Sequence, residues 1–166
     1  MKRVSTLLLS LVCSLAGAAA SAAPSYAVDD GVYVIRDLAT GSCLTPGARS
    51  ASVGGVPAVL GSRTRWRVEN ERPGQAILLD LTTSERDIRC LDRDLPNKLL
   101  VYPCVAPQRW FVPTDAGVPS KLRNVETGLC ATILPGSNGT LHPCDAATTW
   151  RFERVQPGGA PGPRDR

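Results

Sequence analysis

Histidine is almost missing from this 166-residue chain, His142 being the only one. It lies between Leu141 and Pro143, so one Cys–His pair, Cys43 with His142, is the most a nucleophilic mechanism has to draw on. No C-x2-C spacing accompanies it, which removes the usual zinc sets, and there is no G-x-S-x-G elbow. The chain is therefore read as non-catalytic, with no metal and no cofactor. Basic runs and basic–aromatic patches are also lacking, so nucleic acid has no electrostatic footprint to bind. The longest apolar stretch, Leu7–Leu15, falls well short of the ~20 residues a membrane span requires. Outside that stretch no window of a dozen residues carries helical spacing, while 14 prolines and 15 glycines interrupt the chain throughout. These absences leave an all-β, non-membrane fold.

The amino-terminal segment has its own logic. Lys2 and Arg3 precede the apolar run, and Ala20-Ser21-Ala22 supplies small residues for cleavage, so residues 1–22 read as a bacterial-type signal peptide. A second acceptable cut follows Ser25-Tyr26-Ala27. Cys13, behind Val12, is a poor match to a lipoprotein box and is discarded with the leader. Without Lys2 and Arg3 the net charge of +4 falls to about +2. The end of the chain, QPGGAPGPRDR at 156–166, is Pro/Gly-rich and reads as a disordered tail. Between them lies one domain, residues 28–155, of a secreted protein.

That domain repeats itself. RDLATGSCLT at 36–45 and RNVETGLCAT at 123–132 share Arg, Thr, Gly, Cys and Thr in register at an offset of 87. Trp66, Trp110 and Trp150 follow at spacings of 44 and 40, which predicts three units of roughly 40 residues at about 31–69, 77–113 and 120–154. Cys90 and Cys104 are 14 apart, as are Cys130 and Cys144, and each second cysteine lies six residues before a Trp. Equal spacing in equal units pairs Cys90 with Cys104 and Cys130 with Cys144, each loop stabilising by roughly 3 kcal/mol. Leu60 stands six residues before Trp66, so Cys43 is left over. It is either a buried free thiol, the preferred reading, or a link between chains; otherwise the protein is a monomer.

Strands are expected at Val32–Ile35, Ile77–Leu79, Leu99–Tyr102 and Trp150–Glu153, where β-branched, aromatic and leucine residues cluster. Turns are expected at Ala39-Thr40-Gly41, Val53-Gly54-Gly55, Pro96-Asn97, Glu126-Thr127-Gly128 and Ser137-Asn138-Gly139. Asn138-Gly139 has the composition of a two-residue type I′ hairpin turn, and with Thr140 it also makes an N-glycosylation sequon. A unit of four short strands cannot bury its own apolar face. Three around a common axis can, as a closed barrel capped by hairpins with the tryptophans in a shared core.

Cys90-Leu91-Asp92, Tyr102-Pro103-Cys104 and Gln108-Arg109-Trp110 resemble the ricin B-type lectin module, a β-trefoil whose repeats carry C-L-D, aromatic-P-C and Q-x-W segments. The third unit keeps the frame with His142-Pro143-Cys144 and Thr148-Thr149-Trp150. The resemblance spans roughly 30–155. It implies a sugar held by Asp92, Tyr102 and Gln108, with a carboxylate taking two hydroxyls and a ring covering the C–H face of a galactose- or GalNAc-type sugar. Pro107 stands where the family places Asn. The matching positions are Thr132, His142 and Ala147 in the third unit, a possible second site, and Thr45, Ala58 and Arg63 in the first. Each residue also has a plain structural reading: Asp92 satisfying a turn, Tyr102 packing beside a disulfide, His142 packing against Cys144, Gln108 holding the frame. Three non-catalytic functions follow. The chain is a glycan-binding module, or a protein-binding delivery subunit resembling the degenerate ricin-like subunits of cytolethal distending toxin. Alternatively it is a trefoil protease inhibitor using the long 46–63 loop, with Arg49–Ser50 as the bond presented to trypsin-like enzymes.

Overall fold

A computed structural model describes residues 28–46, 53–57, 64–81, 87–94, 97–133 and 138–156, with backbone alone for 53–57. The expected signal peptide and tail, and most of the 46–63 segment, lie outside the described residues. Every regular element among the described residues is a strand: β1 (Gly31–Asp37), β2 (Ser42–Pro46), β3 (Val53–Pro57), β4 (Arg65–Arg72), β5 (Gln75–Asp80), β6 (Arg89–Asp94), β7 (Lys98–Pro103), β8 (Trp110–Phe111), β9 (Arg123–Asn124), β10 (Cys130–Thr132), β11 (Thr140–His142) and β12 (Trp150–Arg154). No helix among the described residues is long and apolar enough to cross a membrane.

Six strands close a ring. β1 pairs with β4, β4 with β5, β5 with β8, β8 with β9, and β12 with β1, all antiparallel. Paired hydrogen bonds between Ser120 and Trp150 at 2.8 and 2.9 Å join the chain just before β9 to β12 and complete the circuit. Closure removes free edges from this layer. The other six strands form three hairpins, β2–β3, β6–β7 and β10–β11, whose inner residues cap the barrel. The four expected strand segments all fall within observed strands.

Threefold regularity is visible in contacts. Trp66, Trp110 and Trp150 are fully buried, and each donates its indole N–H to a backbone carbonyl: Leu44 at 2.8 Å, Leu91 at 3.2 Å and Ala131 at 3.1 Å. In every case the acceptor directly follows Cys43, Cys90 or Cys130. Opposite the three tryptophans, in register, stand Asp80, Asn124 and Asp37. Asp37 accepts hydrogen bonds from the Ala39 N–H and the Thr40 hydroxyl, and Asn124 from the Thr127 N–H and hydroxyl. Gly41 and Gly128 end these turns at φ of 71° and 70°, a conformation open mainly to glycine. The duplicated Arg-x-x-x-Thr-Gly sequence is therefore one turn used twice. Asp80 instead faces Arg89 at 3.3 Å.

Disulfides join Cys90 to Cys104 and Cys130 to Cys144, and Cys43 is a buried free thiol. Burial raises the Cys43 thiol pKa, with Arg36 opposing the shift, so it stays protonated and little reactive. Two expectations fail. Val53-Gly54-Gly55 is not a turn but part of β3, because pairing with β2 supplies what its glycines lack in strand propensity. The 46–63 segment is accordingly a hairpin arm over Val53–Pro57 rather than a continuous loop. Asn138-Gly139 does not make a type I′ turn either: Gly139 does not take the positive φ that turn needs, and its carbonyl accepts the Leu99 N–H at 2.9 Å, while the described β10–β11 pairing runs to Thr132 opposite Thr140. The register also amends the first unit. Cys43 faces Val56, as Cys90 faces Tyr102 and Cys130 faces His142, so Val56 rather than Ala58 holds the aromatic position.

Candidate functional site

The β6–β7 hairpin sets Leu91, Leu99 and Val101 into the core, and the pleat turns Asp92, Leu100 and Tyr102 to the opposite face, beside the buried Cys90. Asp92 lies opposite Leu100, and Tyr102 opposite Cys90, so Asp92 and Tyr102 are diagonal neighbours on one face, typically ~7–8 Å apart. Tyr102 is 58% exposed. Ile88 and Val105, beside the Cys90–Cys104 disulfide, are exposed as well, and the Cys104 N–H to Ile88 carbonyl bond of 3.3 Å ties their segments together. Asp92 accepts the Arg93 N–H at 2.6 Å. Partial burial raises its carboxyl pKa, against the lowering effects of that N–H and the Arg93 charge.

Gln108 spends its side-chain oxygen away from Asp92. Its side-chain oxygen accepts from Arg93 Nε at 3.3 Å and from the buried Asn124 amide at 3.2 Å. Arg93 continues to Glu126 at 2.7 Å. The groove between the second hairpin and the Asn124–Thr127 turn is thus occupied by an Arg93–Gln108–Glu126 network. Neither Arg93 nor Glu126 stands out in sequence, since the contact joins residues 33 apart.

The equivalent groove at the third hairpin is open. A cavity of about 600 Å³ lies between the Asp37–Thr40 turn, Thr132-Ile133 and Ala146–Thr149. The backbone frame matches: Leu38 N–H bonds the Thr149 carbonyl, and Val125 N–H bonds the Arg109 carbonyl, both at 3.0 Å. Ile133, Thr148 and Ala39 occupy the places of Arg93, Gln108 and Glu126. Thr132 is buried and lines this cavity, donating its hydroxyl to the Cys130 carbonyl at 3.4 Å. His142, half-buried on β11, is not part of its wall. Thr132 and His142, the expected second site, are diagonal neighbours on β10–β11 as Asp92 and Tyr102 are on β6–β7, and of the two Thr132 alone lines the cavity. Sequence reasoning missed Ile133, Thr148 and the Asp37–Thr40 turn, because only closure of the barrel sets the first turn against the third hairpin.

No protein-family model and no curated protein sequence matches the chain. Solved structures do match. The designed threefold-symmetric protein ThreeFoil has a TM-score of 0.63 at 16% identity, over 76% of this chain and 100% of its own. A ricin B-like lectin from Macrolepiota procera, solved with lactose, has 0.56 at 15%, over 77% and 99%. Cytolethal distending toxin from Actinobacillus actinomycetemcomitans has 0.58 at 17%, over 78% of this chain and 95% of the matched one. A proteinase inhibitor from Coprinopsis cinerea also matches. At these identities the likeness is one of fold, and the fold is the β-trefoil.

Proposed function

We propose that the chain is a secreted, monomeric, non-catalytic glycan-binding module of ricin B type. In this reading residues 1–22 are its signal peptide, and three repeats within 28–155 each contribute two barrel strands and one hairpin. The two disulfides lie inside the second and third repeats, and Gln108-Arg109-Trp110 is the Q-x-W frame. The principal site is the outer face of β6–β7, where the Asp92 carboxylate takes adjacent hydroxyls of a galactose- or GalNAc-type sugar and Tyr102 covers its C–H face. One observation carries this: a tyrosine ring more than half exposed stands on the same pleated face as a carboxylate of raised pKa. Gln108 serves by fixing Arg93 and Asn124 rather than by touching sugar. Binding through one shallow site should be millimolar to high-micromolar.

A glycan array of the oxidised protein beside Asp92→Ala and Tyr102→Ala tests the reading. Galactose-type binding lost in both variants is expected. Silence in the wild type would refute it and favour the second reading, a toxin delivery subunit, which the exposed Ile88, Tyr102 and Val105 side chains support as a protein-docking patch. The inhibitor reading rests on the 46–63 segment, whose Arg49–Ser50 bond lies outside the described residues.

A further inference from the structure

The outer wall of the barrel carries a groove away from the hairpin faces, on the first strands of the ring. We propose that it is the docking surface for the chain's own 156–166 segment, with Arg164 and Arg166 as the anchoring residues. The groove holds about 440 Å³ and runs across β1, β4 and β5. Val32 and Ile77 give it an apolar floor, and Asp30, Arg67, Glu69 and Glu71 stand around it. Register sets Val32 opposite Arg67, and Glu69 opposite Ile77. Three carboxylates thus face one guanidinium, and their pairing is loose. Glu69 meets Arg67 only at 3.9 Å and Glu71 meets Arg109 only at 3.7 Å, with both carboxylates about two-fifths exposed. Asp30 gives Oδ1 to the Asn70 N–H and side-chain amide, each at 2.8 Å, and keeps Oδ2 for another donor. Elsewhere on the same wall Arg36 and Glu153 close a bidentate pair at 2.9 Å, so their charges are already matched.

The place where the chain leaves the barrel points to the occupant. The Val155 N–H bonds the Val32 carbonyl at 2.8 Å, so the segment departs beside a residue of the groove's floor. β12, β1 and β4 are successive neighbours, and two strand spacings, about 10 Å, separate that point from β4. Arg164 comes eight residues after Gln156 in a Gly/Pro-rich stretch, whose root-mean-square reach as a coil is roughly 15 Å. That reach covers the groove, and so short a tether holds its end there at an effective concentration in the millimolar range. A contact too weak to join separate molecules is therefore enough. The chemistry is complementary as well. The two guanidinium groups donate to the half-exposed Glu69 and Glu71 carboxylates and to Asp30 Oδ2, while their aliphatic stems lie on Val32 and Ile77. Asp165, between the two arginines, pairs with Arg67.

The test compares backbone amide spectra of the oxidised, isotope-labelled protein and of its Arg164→Glu/Arg166→Glu variant, both as full chains. These substitutions fall beyond β12, so the barrel is left as it is. Amides of Val32, Glu69, Glu71 and Ile77 should move between the two, while those of Tyr102 and Ile133 stay in place. In about 1 M salt, where the screening length falls to roughly 3 Å, the wild-type spectrum should converge on that of the variant. Glu69→Lys with Glu71→Lys should abolish the Ile77 shift, and joining these changes to the reversed arginines should restore it. Identical wild-type and variant spectra at the groove amides, or shifts that persist in high salt, overturn the proposal. Shifts that fade as the protein is diluted overturn it too, because they assign the groove to the same segment of a second copy.

Discussion

The second and third hairpins share a backbone and differ in what fills the groove beside it. Both are closed by a disulfide, both hand a carbonyl to a buried tryptophan, and both lean on a turn built around a buried Asn or Asp. At the second, Arg93 crosses to Gln108 and Glu126 and leaves the exposed Tyr102 face as the surface on offer. At the third, Ile133, Thr148 and Ala39 are too short or too apolar to cross, and a cavity remains. A trefoil frame thus supplies equivalent places, and a few side chains decide which of them stays open.

The shared frame is open to attack first. Trp110→Ala and Trp150→Ala should each cost about 3–5 kcal/mol, since each removes a fully buried indole and its hydrogen bond. Urea unfolding reads this, and costs that differ by several kcal/mol would break the equivalence. A smaller effect is expected from emptying the second groove. Arg93→Ala with Glu126→Ala should lower stability by no more than about 1 kcal/mol, because Glu126 is half exposed and its ion pair is screened. A loss of several kcal/mol would make that network part of the frame rather than a filling.

The smallest effect concerns Asp92. Partial burial raises its folded pKa above the unfolded value, so its favourable contribution is complete below the unfolded carboxylate pKa and is lost as pH rises through the folded one. Asp92→Asn, which can still accept the Arg93 N–H, should therefore be more stable than wild type at neutral pH, by about 0.5 kcal/mol or less after solvent screening, with the gain vanishing in acid. Thermal unfolding at the two pH values checks it. A destabilised Asn variant at neutral pH would mean that Asp92 serves the fold.

Strand chemistry was legible wherever apolar residues clustered, as in Val32–Ile35 and Leu99–Tyr102. It was not legible in Val53–Pro57, where glycine hides a strand that only the β2 partner stabilises. The 14-residue cysteine spacing anticipated both disulfides because each closes a short local loop. Asn138-Gly139 misled, since turn composition is local whereas hairpin length is set by cross-strand register.

By itself the sequence determined the all-β class, the three buried tryptophans, the two cysteine pairs and the odd Cys43. These depend on composition and on spacings along the chain. Tertiary structure alone decided that Arg93 meets Glu126, that Gln108 turns to Asn124, and that the first turn walls the third hairpin's cavity. Such contacts join residues far apart in sequence, and they exist only once the barrel has closed.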